Sequence, residues 1–501
     1  MIIELSLLFL SIISIFLIWA KWKLTYWQRL GVKTLPTNIL FGNFKDNIYQ
    51  RISPGWLIGR LHLQADEKLP FIGIYIFHQP SLLIRDPLLM KKIFVKDFDV
   101  FPNHKFAVKN PDDPIGTRNI FSIDNPEWKH LRTKLSPAFS SGKIKQLFDL
   151  MVESSETLNN FLYDKFNNNL NNDKITIDLK LASQKYTTDV ISSLAFGVRT
   201  NSFDDSTAEF WRRSIYPTTM TLKQIIRLFC IFFFPKLNNL LVPGTLLDHH
   251  TDYFRDIFWR SMDMREKSNI ERGDVMDTLL KLKNDKKDST FTFTRDELVA
   301  QSVVFLLAGQ ETSSTTIAFG LYELAKQPEL QDRVRNEIRE KINNKGFTYE
   351  AVQDMKYLMQ VINETLRMYP PAPLLDRVAE KNYTIPDTDV VIEKGTAVYV
   401  ALPGIQMDPK YFPNPDIFDP DRFSDERKHE IQPCTFMPFG EGPRTCIGMR
   451  VGMLQTAVGF IQILKNYEVS INPAYKTEIH PGNIFLGFKD GCNLYVKKYQ
   501  S

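Results

Sequence analysis

Only four of the 501 residues are cysteine, Cys230, Cys434, Cys446 and Cys492, with no CxxC pair and no accompanying histidine cluster. That excludes tetrahedral zinc and covalent c-type heme attachment, and so few thiols suit a reducing compartment. Net charge is equally scarce, at +4, and no Lys/Arg stripe carries interleaved aromatics, so nucleic acid is excluded as a partner. The chain has no Gly/Ser-rich linker, internal repeat or low-complexity block, and therefore reads as one large domain. It lacks the Arg-rich, acid-poor presequence of mitochondrial import. It also lacks a dinucleotide fingerprint: Gly440-Glu441-Gly442-Pro443-Arg444-Thr445 has no third glycine and no preceding βαβ context.

What the chain does have is apolar material, 43% hydrophobic and 12% aromatic with 37 phenylalanines, enough for a sizeable core and a lipophilic pocket. Residues 1–20 are apolar apart from Glu4, Ser6, Ser11 and Ser14, and Lys21, Lys23, Arg29 and Lys33 follow at once. About nineteen residues at 1.5 Å each span roughly 28 Å, close to a bilayer core of about 30 Å, so this stretch is predicted to be a transmembrane anchor. No small-x-small cleavage site follows, and the positive flank puts the rest of the chain in the cytosol. The expected organisation is an anchor over 1–20, a basic, proline-containing linker over 21–36, and one domain over 37–501.

Phe71 to Phe77 and Ser81 to Arg85, around His78-Gln79-Pro80, predict a β-hairpin. From Pro87 to Leu366 helical periodicity dominates, broken at 103–116, near Pro217 and Pro235, and at 284–289. Cys230-Ile231-Phe232-Phe233-Phe234-Pro235 reads as core or as a second membrane contact. Thr294-Arg295-Asp296-Glu297 fits a capping box opening a helix that continues without proline to Pro328. Eight prolines between Pro403 and Pro443 preclude long regular elements and describe an extended loop. Asp490-Gly491, between 484–489 and 492–496, predicts a terminal hairpin.

Three constellations carry chemistry. In Phe439-Gly440-Glu441-Gly442-Pro443-Arg444-Thr445-Cys446-Ile447-Gly448 the glycines permit positive φ, and Arg444 can neutralise a heme propionate. Gly448 clears space for a porphyrin, and the helix predicted beyond it would lower the thiol pKa of Cys446. In Ala308-Gly309-Gln310-Glu311-Thr312 the Thr312 hydroxyl can reach the Ala308 carbonyl and open a polar notch in a buried helix. Glu364 and Arg367 stand three apart on a helix that ends before Pro370-Pro371, so they share one face.

These motifs, with matches along nearly the whole chain, resemble the heme-thiolate monooxygenases, the cytochrome P-450 superfamily. Leu306 to Thr316 and Phe436 to Arg444 are most similar to insect microsomal enzymes of the sixth family. The resemblance implies a mainly α fold with smaller β-sheets, preceded by one N-terminal transmembrane anchor helix. Its cofactor is heme b, with Cys446 as axial thiolate and Phe439 and Gly448 in the heme-binding loop. Glu311 and Thr312 then relay protons during dioxygen cleavage, with Gln310 where that subfamily carries an apolar or aromatic residue. Trp128 and Arg132, four apart on a helix, would hold a propionate together with Arg377 and Arg444. Glu364, Arg367 and Arg422 match a structural triad, with Asp421 in place of the commoner Glu. The implied substrate walls are Phe106, Ile115, Phe121, Phe305 and Ala308, joined by Leu374, Leu375, Phe485 and Leu486.

With no flavin or nicotinamide site of its own, the chain must take electrons from another protein. The resemblance names NADPH-cytochrome P-450 reductase, joined by cytochrome b5, docking on a basic face of Lys129, Lys134, Lys143, Lys145 and Arg450. It adds residence in the endoplasmic reticulum membrane, with the catalytic domain facing the cytosol, and oxidation of plant toxins and insecticides by O2. Two other classes stay open: a reductase-independent heme-thiolate isomerase or dehydratase, and a membrane-tethered heme carrier or sensor.

Overall fold

The computed structural model describes residues 1–501 except 1, 169–172, 205, 207, 216–221, 235–239, 241–243, 269, 286–292, 294, 500 and 501. Helix α1 (Ile2–Leu24) is exposed from Ile2 to Trp19, while Ala20 and Leu24 pack against the body. Its 23 residues reach about 35 Å, long enough to cross a hydrocarbon layer. The helix outruns the expected anchor by one turn, and residues 21–36 are not a free tether. Trp27 is fully buried, donates Nε1–H to the Ile74 carbonyl at 3.3 Å, and fills the space that a Cβ on Gly73 would need.

β1 (Phe71–Ile76) and β2 (Gln79–Ile84) form the predicted hairpin, but the turn falls earlier, at Phe77-His78, with Phe77 at φ +55°. Pro80 lies inside β2 opposite Tyr75, and the parallel partner of β2 begins only at Ser81, so no ladder bond needs the missing N–H. Next come α2 (Glu127–Leu135), α3 (Ser141–Asn167), β3 (Lys174–Asp178), α4 (Leu179–Phe196), α5 (Glu209–Ser214) and α6 (Leu222–Phe233). The centre is α7 (Arg295–Lys326), whose 32 residues run about 48 Å. The Thr294 cap and the expected breaks at Pro217 and Pro235 lie outside the described residues. Helix α4 lies along α7, which Gly309 permits, because a Cβ there would stand 2.9 Å from Ile191 Cδ1.

α8 (Lys356–Met368), β4 (Leu374–Val378), β5 (Ala397–Ala401), α9 (Met449–Leu464), β6 (Tyr467–Ile471) and β7 (Asn493–Lys498) complete the frame. One sheet has the order β1-β2-β5-β4 and another β3-β7-β6. The expected terminal hairpin does not form: β7 pairs antiparallel with β3 and β6, and 484–489 is a loop with one bridge, Ile479 to Phe488. The competing ladders run the length of five residues, whereas Phe488 stacks on Phe319 at 4.0 Å and draws its loop into the core.

The proline-rich segment contains only short turns, so its backbone must be held by side chains. Glu364 and Arg367 do this from α8, both fully buried rather than paired on the surface. The guanidinium binds the carboxylate bidentately, at 2.8 Å twice, and donates to the carbonyls of Gln406 (2.9 Å) and Pro415 (2.7 Å). Glu364 also accepts from Asp419 N–H (2.9 Å) and Arg422 Nε (3.3 Å), and Arg422 donates to the Asn414 carbonyl (2.8 Å). Asp421 points outward to Arg333 at 2.9 Å and takes no part. Glu364→Ala would leave two buried guanidiniums without their carboxylate, so thermal unfolding should show a loss of about 3–5 kcal/mol. Asp421→Ala, which opens an exposed pair, should cost less than about 1 kcal/mol.

Candidate functional site

Cys446 sits where the proline-rich segment meets α9. Gly440 and Gly442 take φ of +77° and +75°, and a Cβ on Gly442 would collide with the Phe94 carbonyl. The Cys446 amide donates to the Phe439 carbonyl at 2.9 Å, and the Gly448 amide at the head of α9 donates to the sulfur. The residue keeps accessible area although protein surrounds it closely, which means that the sulfur looks into an interior space and not onto the outer surface. Burial pushes its thiol pKa up, against the Gly448 N–H and Arg132, so the expected lowering by the helix terminus is outweighed. In a site this dry, sulfur becomes anionic with a metal cation against it.

Helix α7 crosses α9 close by. Val304, Leu307, Ala308, Glu311 and Thr312 retain accessible area while Val303, Phe305, Leu306, Gln310 and Ser313 are buried, which traces one stripe along a core helix. Gly452 of α9 faces Ser313 Oγ at 3.9 Å and Gln455 donates to the Gly309 carbonyl at 3.2 Å, so the helices cross just beyond Cys446. Thr312 Oγ1 donates to the Ala308 carbonyl at 2.6 Å, the notch expected from sequence. Glu311 is tied elsewhere, to Lys180 Nζ (2.9 Å) and Gln184 Nε2 (2.8 Å) of α4, and no hydrogen bond joins it to Thr312 among the described residues. Gln310 turns away from the stripe and is 3% exposed.

Three guanidiniums gather at the edge of the site. Arg444 donates to the carbonyls of Pro102 (2.9 Å) and Ile123 (3.0 Å) and lies 4.2 Å above the buried Trp128 ring, yet its Nη1 is buried without a partner. Arg377 donates to the Asp376 carbonyl at 2.7 Å, and its Nε is likewise orphaned. Arg132, on α2, feels the charge of Cys446 and of Arg444. Burial, and for Arg444 the neighbouring Arg377, lowers the pKa of Arg444 to about 9, and burial lowers that of Arg377 to about 10. Mutually repelling buried cations with unused N–H groups fit an anionic edge such as the two propionates of heme b.

Among the expected wall residues, Phe106, Phe121 and Phe485 form an aromatic group, with Phe106 5.3 Å from Phe121 and 6.2 Å from Phe485. Leu374 is half-buried on the same apolar cluster as Phe106 and Leu375 is half-buried on the neighbouring one, whereas Ile115 and Leu486 are core residues and Phe305 packs on Phe139 at 5.3 Å. On the expected basic face Lys134 pairs with Asp285 and Lys145 with Glu350, so Lys129, Lys143 and Arg450 are its cations without a carboxylate among the described residues. A charged cleft lined by Arg333, Glu337, Lys341, Tyr357 and Asp425 lies on the outer surface and contains none of these groups.

Sequence reading passed over His104 and Asp376. Asp376 accepts from His104 Nδ1 (3.1 Å) and from the amides of Lys105 and Phe106, so it fixes the loop that carries the aromatic wall beside Arg377. The one sequence signal was an acid adjoining Arg377 in an otherwise apolar strand. Comparison with known proteins accords with this geometry. The family description cytochrome P-450 matches residues 50–488. Cytochrome P-450 6k1 of Blattella germanica is 40% identical over 472 residues, 89% of this chain and 87% of that protein. Probable cytochrome P-450 6g2 of Drosophila melanogaster is 36% identical over 509 residues, 98% of each. A heme-competent pocket on an α-rich frame, and similarity over nearly the full length of these relatives, mean that the chain belongs to the cytochrome P-450 family of heme-iron monooxygenases with an axial cysteine thiolate.

Proposed function

We propose that this protein is a membrane-anchored monooxygenase of lipophilic xenobiotics, plant toxins and insecticides among them, with Cys446 as the axial ligand. The observation that carries the reading is the Cys446 sulfur, held by the Gly448 amide at the head of α9, the helix that crosses α7 at Gly309 and Ser313 next to the Thr312 notch. Heme, when bound, supplies dioxygen activation and transfer of one oxygen atom to substrate, the other leaving as water. Arg132, Arg377 and Arg444, with Trp128, hold its two carboxylates and seal the edge against water. Thr312 holds a proton at the stripe, and Glu311, released from Lys180, replenishes it.

The Phe106, Phe121 and Phe485 group favours flat, aromatic-containing lipophiles, which settle against ring faces and edges. Helix α1, with Lys21 and Lys23 beyond its apolar run, holds the protein in the endoplasmic reticulum membrane with its body facing the cytosol. Phe77 packs against Phe229 (5.8 Å) and Phe234 (5.6 Å), near the anchor's end, where Trp19 meets His78 at 4.8 Å; with Cys230 and Ile231 buried, this supports the core reading of that apolar stretch. Electrons come from NADPH through NADPH-cytochrome P-450 reductase, whose acidic face suits Lys129, Lys143 and Arg450, and cytochrome b5 shares that surface.

In membranes, the reduced carbon monoxide difference spectrum should show a strongly red-shifted Soret band that Cys446→Ser abolishes; an unshifted band, or one indifferent to the substitution, would refute thiolate ligation. Thr312→Ala should keep that band while product per NADPH falls by at least about tenfold, with unchanged coupling counting against the proton relay. Arg132→Ala should release heme to apomyoglobin faster than wild type; equal rates would remove Arg132 from the propionate set.

A further inference from the structure

Gln310 stands beside the notch residues in sequence, yet its side chain serves other helices. Its Nε2 donates to Thr188 Oγ1 on α4 at 2.6 Å and to Ser214 Oγ, the last residue of α5, at 2.9 Å. All three residues are at most 3% exposed. Thr187 Oγ1 donates to the Gln310 carbonyl at 2.9 Å, which ties the same point of α7 to α4 a second time. Thr188 passes its own hydrogen to the Gln184 carbonyl (2.8 Å), and Gln184 Nε2 donates to Glu311 (2.8 Å). Gln310 is therefore linked, through Thr188 and the main chain of Gln184 on α4, to the residue whose side chain holds the acid next to Thr312.

The Ser214 arm leads the other way. Past α5 the chain reaches α6, whose Leu228 and Phe229 pack into the same apolar cluster as Phe106 and Leu374. The Ser214 bond thus fastens the end of α5 to α7 at Gln310, one residue before Glu311. An apolar side chain at 310 would fill the volume but make neither bond, and it would leave the hydroxyls of Thr188 and Ser214 without that donor.

We propose that Gln310 is a positioning residue that couples seating of α5 to the alignment of Glu311 and Thr312. The inference rests on reading 308–312 as the oxygen-handling stripe. When α5 is seated, the amide holds α4 and α7 in one register and Glu311 stays poised. When that bond is lost, the register slackens and dioxygen takes up two electrons and two protons to leave as hydrogen peroxide, without oxygen transfer.

The test uses the full chain in membranes with reductase, 7-ethoxycoumarin as probe, and the variants Gln310→Leu, Ser214→Ala, their combination, and Thr312→Ala as reference. Peroxide released per NADPH should rise roughly fivefold in Gln310→Leu, the size of one buried hydrogen bond, with the carbon monoxide spectrum intact. Ser214→Ala should give a smaller rise, and the double variant should be no worse than Gln310→Leu alone. Backbone hydrogen exchange of 209–214 should quicken in Gln310→Leu independently of turnover. If Gln310→Leu lowers only the melting temperature, or if its effect multiplies with that of Ser214→Ala, the coupling role is wrong. Raised peroxide in Thr312→Ala but not in Gln310→Leu overturns the inference and leaves the stripe reading standing; no rise in either overturns both.

Discussion

One buried carboxylate, Glu364, holds the cysteine end of the molecule in place. The segment from Pro403 to Pro443 makes no ladder and no long helix, so its carbonyls need donors from outside. Arg367 and Arg422 supply them at Gln406, Asn414 and Pro415, and Glu364 keeps both guanidiniums aimed. Gln406 adds a second fastening: its amide donates to the Leu366 and Arg367 carbonyls and accepts from Met437 N–H at 3.1 Å. A buried ion triad of this kind contributes little net stability, because desolvation cancels most of the attraction; what it contributes is register. That register carries Gly440, Gly442 and then Cys446 to the head of α9.

A second electrostatic arrangement is left incomplete by the protein itself. Arg132, Arg377 and Arg444 approach one another with carbonyls and neutral rings as their main partners, and burial lowers the pKa of Arg377 and Arg444. Such a cluster costs folding energy, and it makes physical sense as the receptor of a dianionic edge. The mixed-charge cluster of Arg265, Arg272, Asp274 and Asp277 is, by contrast, internally neutralised and structural.

Much of this was legible along the chain. The central helix followed from a capping box and a proline-free run to Pro328, the short-turn loop from proline density, and the notch from the four-residue spacing of Ala308 and Thr312. The Phe77-His78 turn was misplaced because Pro80 reads as turn punctuation, although it fits a strand where no neighbour asks for its N–H. The terminal hairpin was misread for a related reason: adjacent strands signalled by Asp490-Gly491 lost to β3, hundreds of residues earlier in the chain, and to β6 nearer by. Of the nine wall residues read from resemblance, Ile115, Phe305 and Leu486 face the core, since periodicity cannot tell a wall facing inward from one facing a neighbouring helix.

Local sequence determined which residues can do chemistry: a cysteine between turn-forming glycines and a helix start, a threonine four residues after a carbonyl, and an acid and a base on one helical turn. Spacing of this kind is short-range and survives any packing. Tertiary structure alone decided where Glu311 and Gln310 point, which arginines remain without partners, and that the pKa of Cys446 rises instead of falling. Those outcomes depend on what α4, α5 and the 103–125 loop bring alongside, and on how much water they exclude, neither of which is written into the residues they act on.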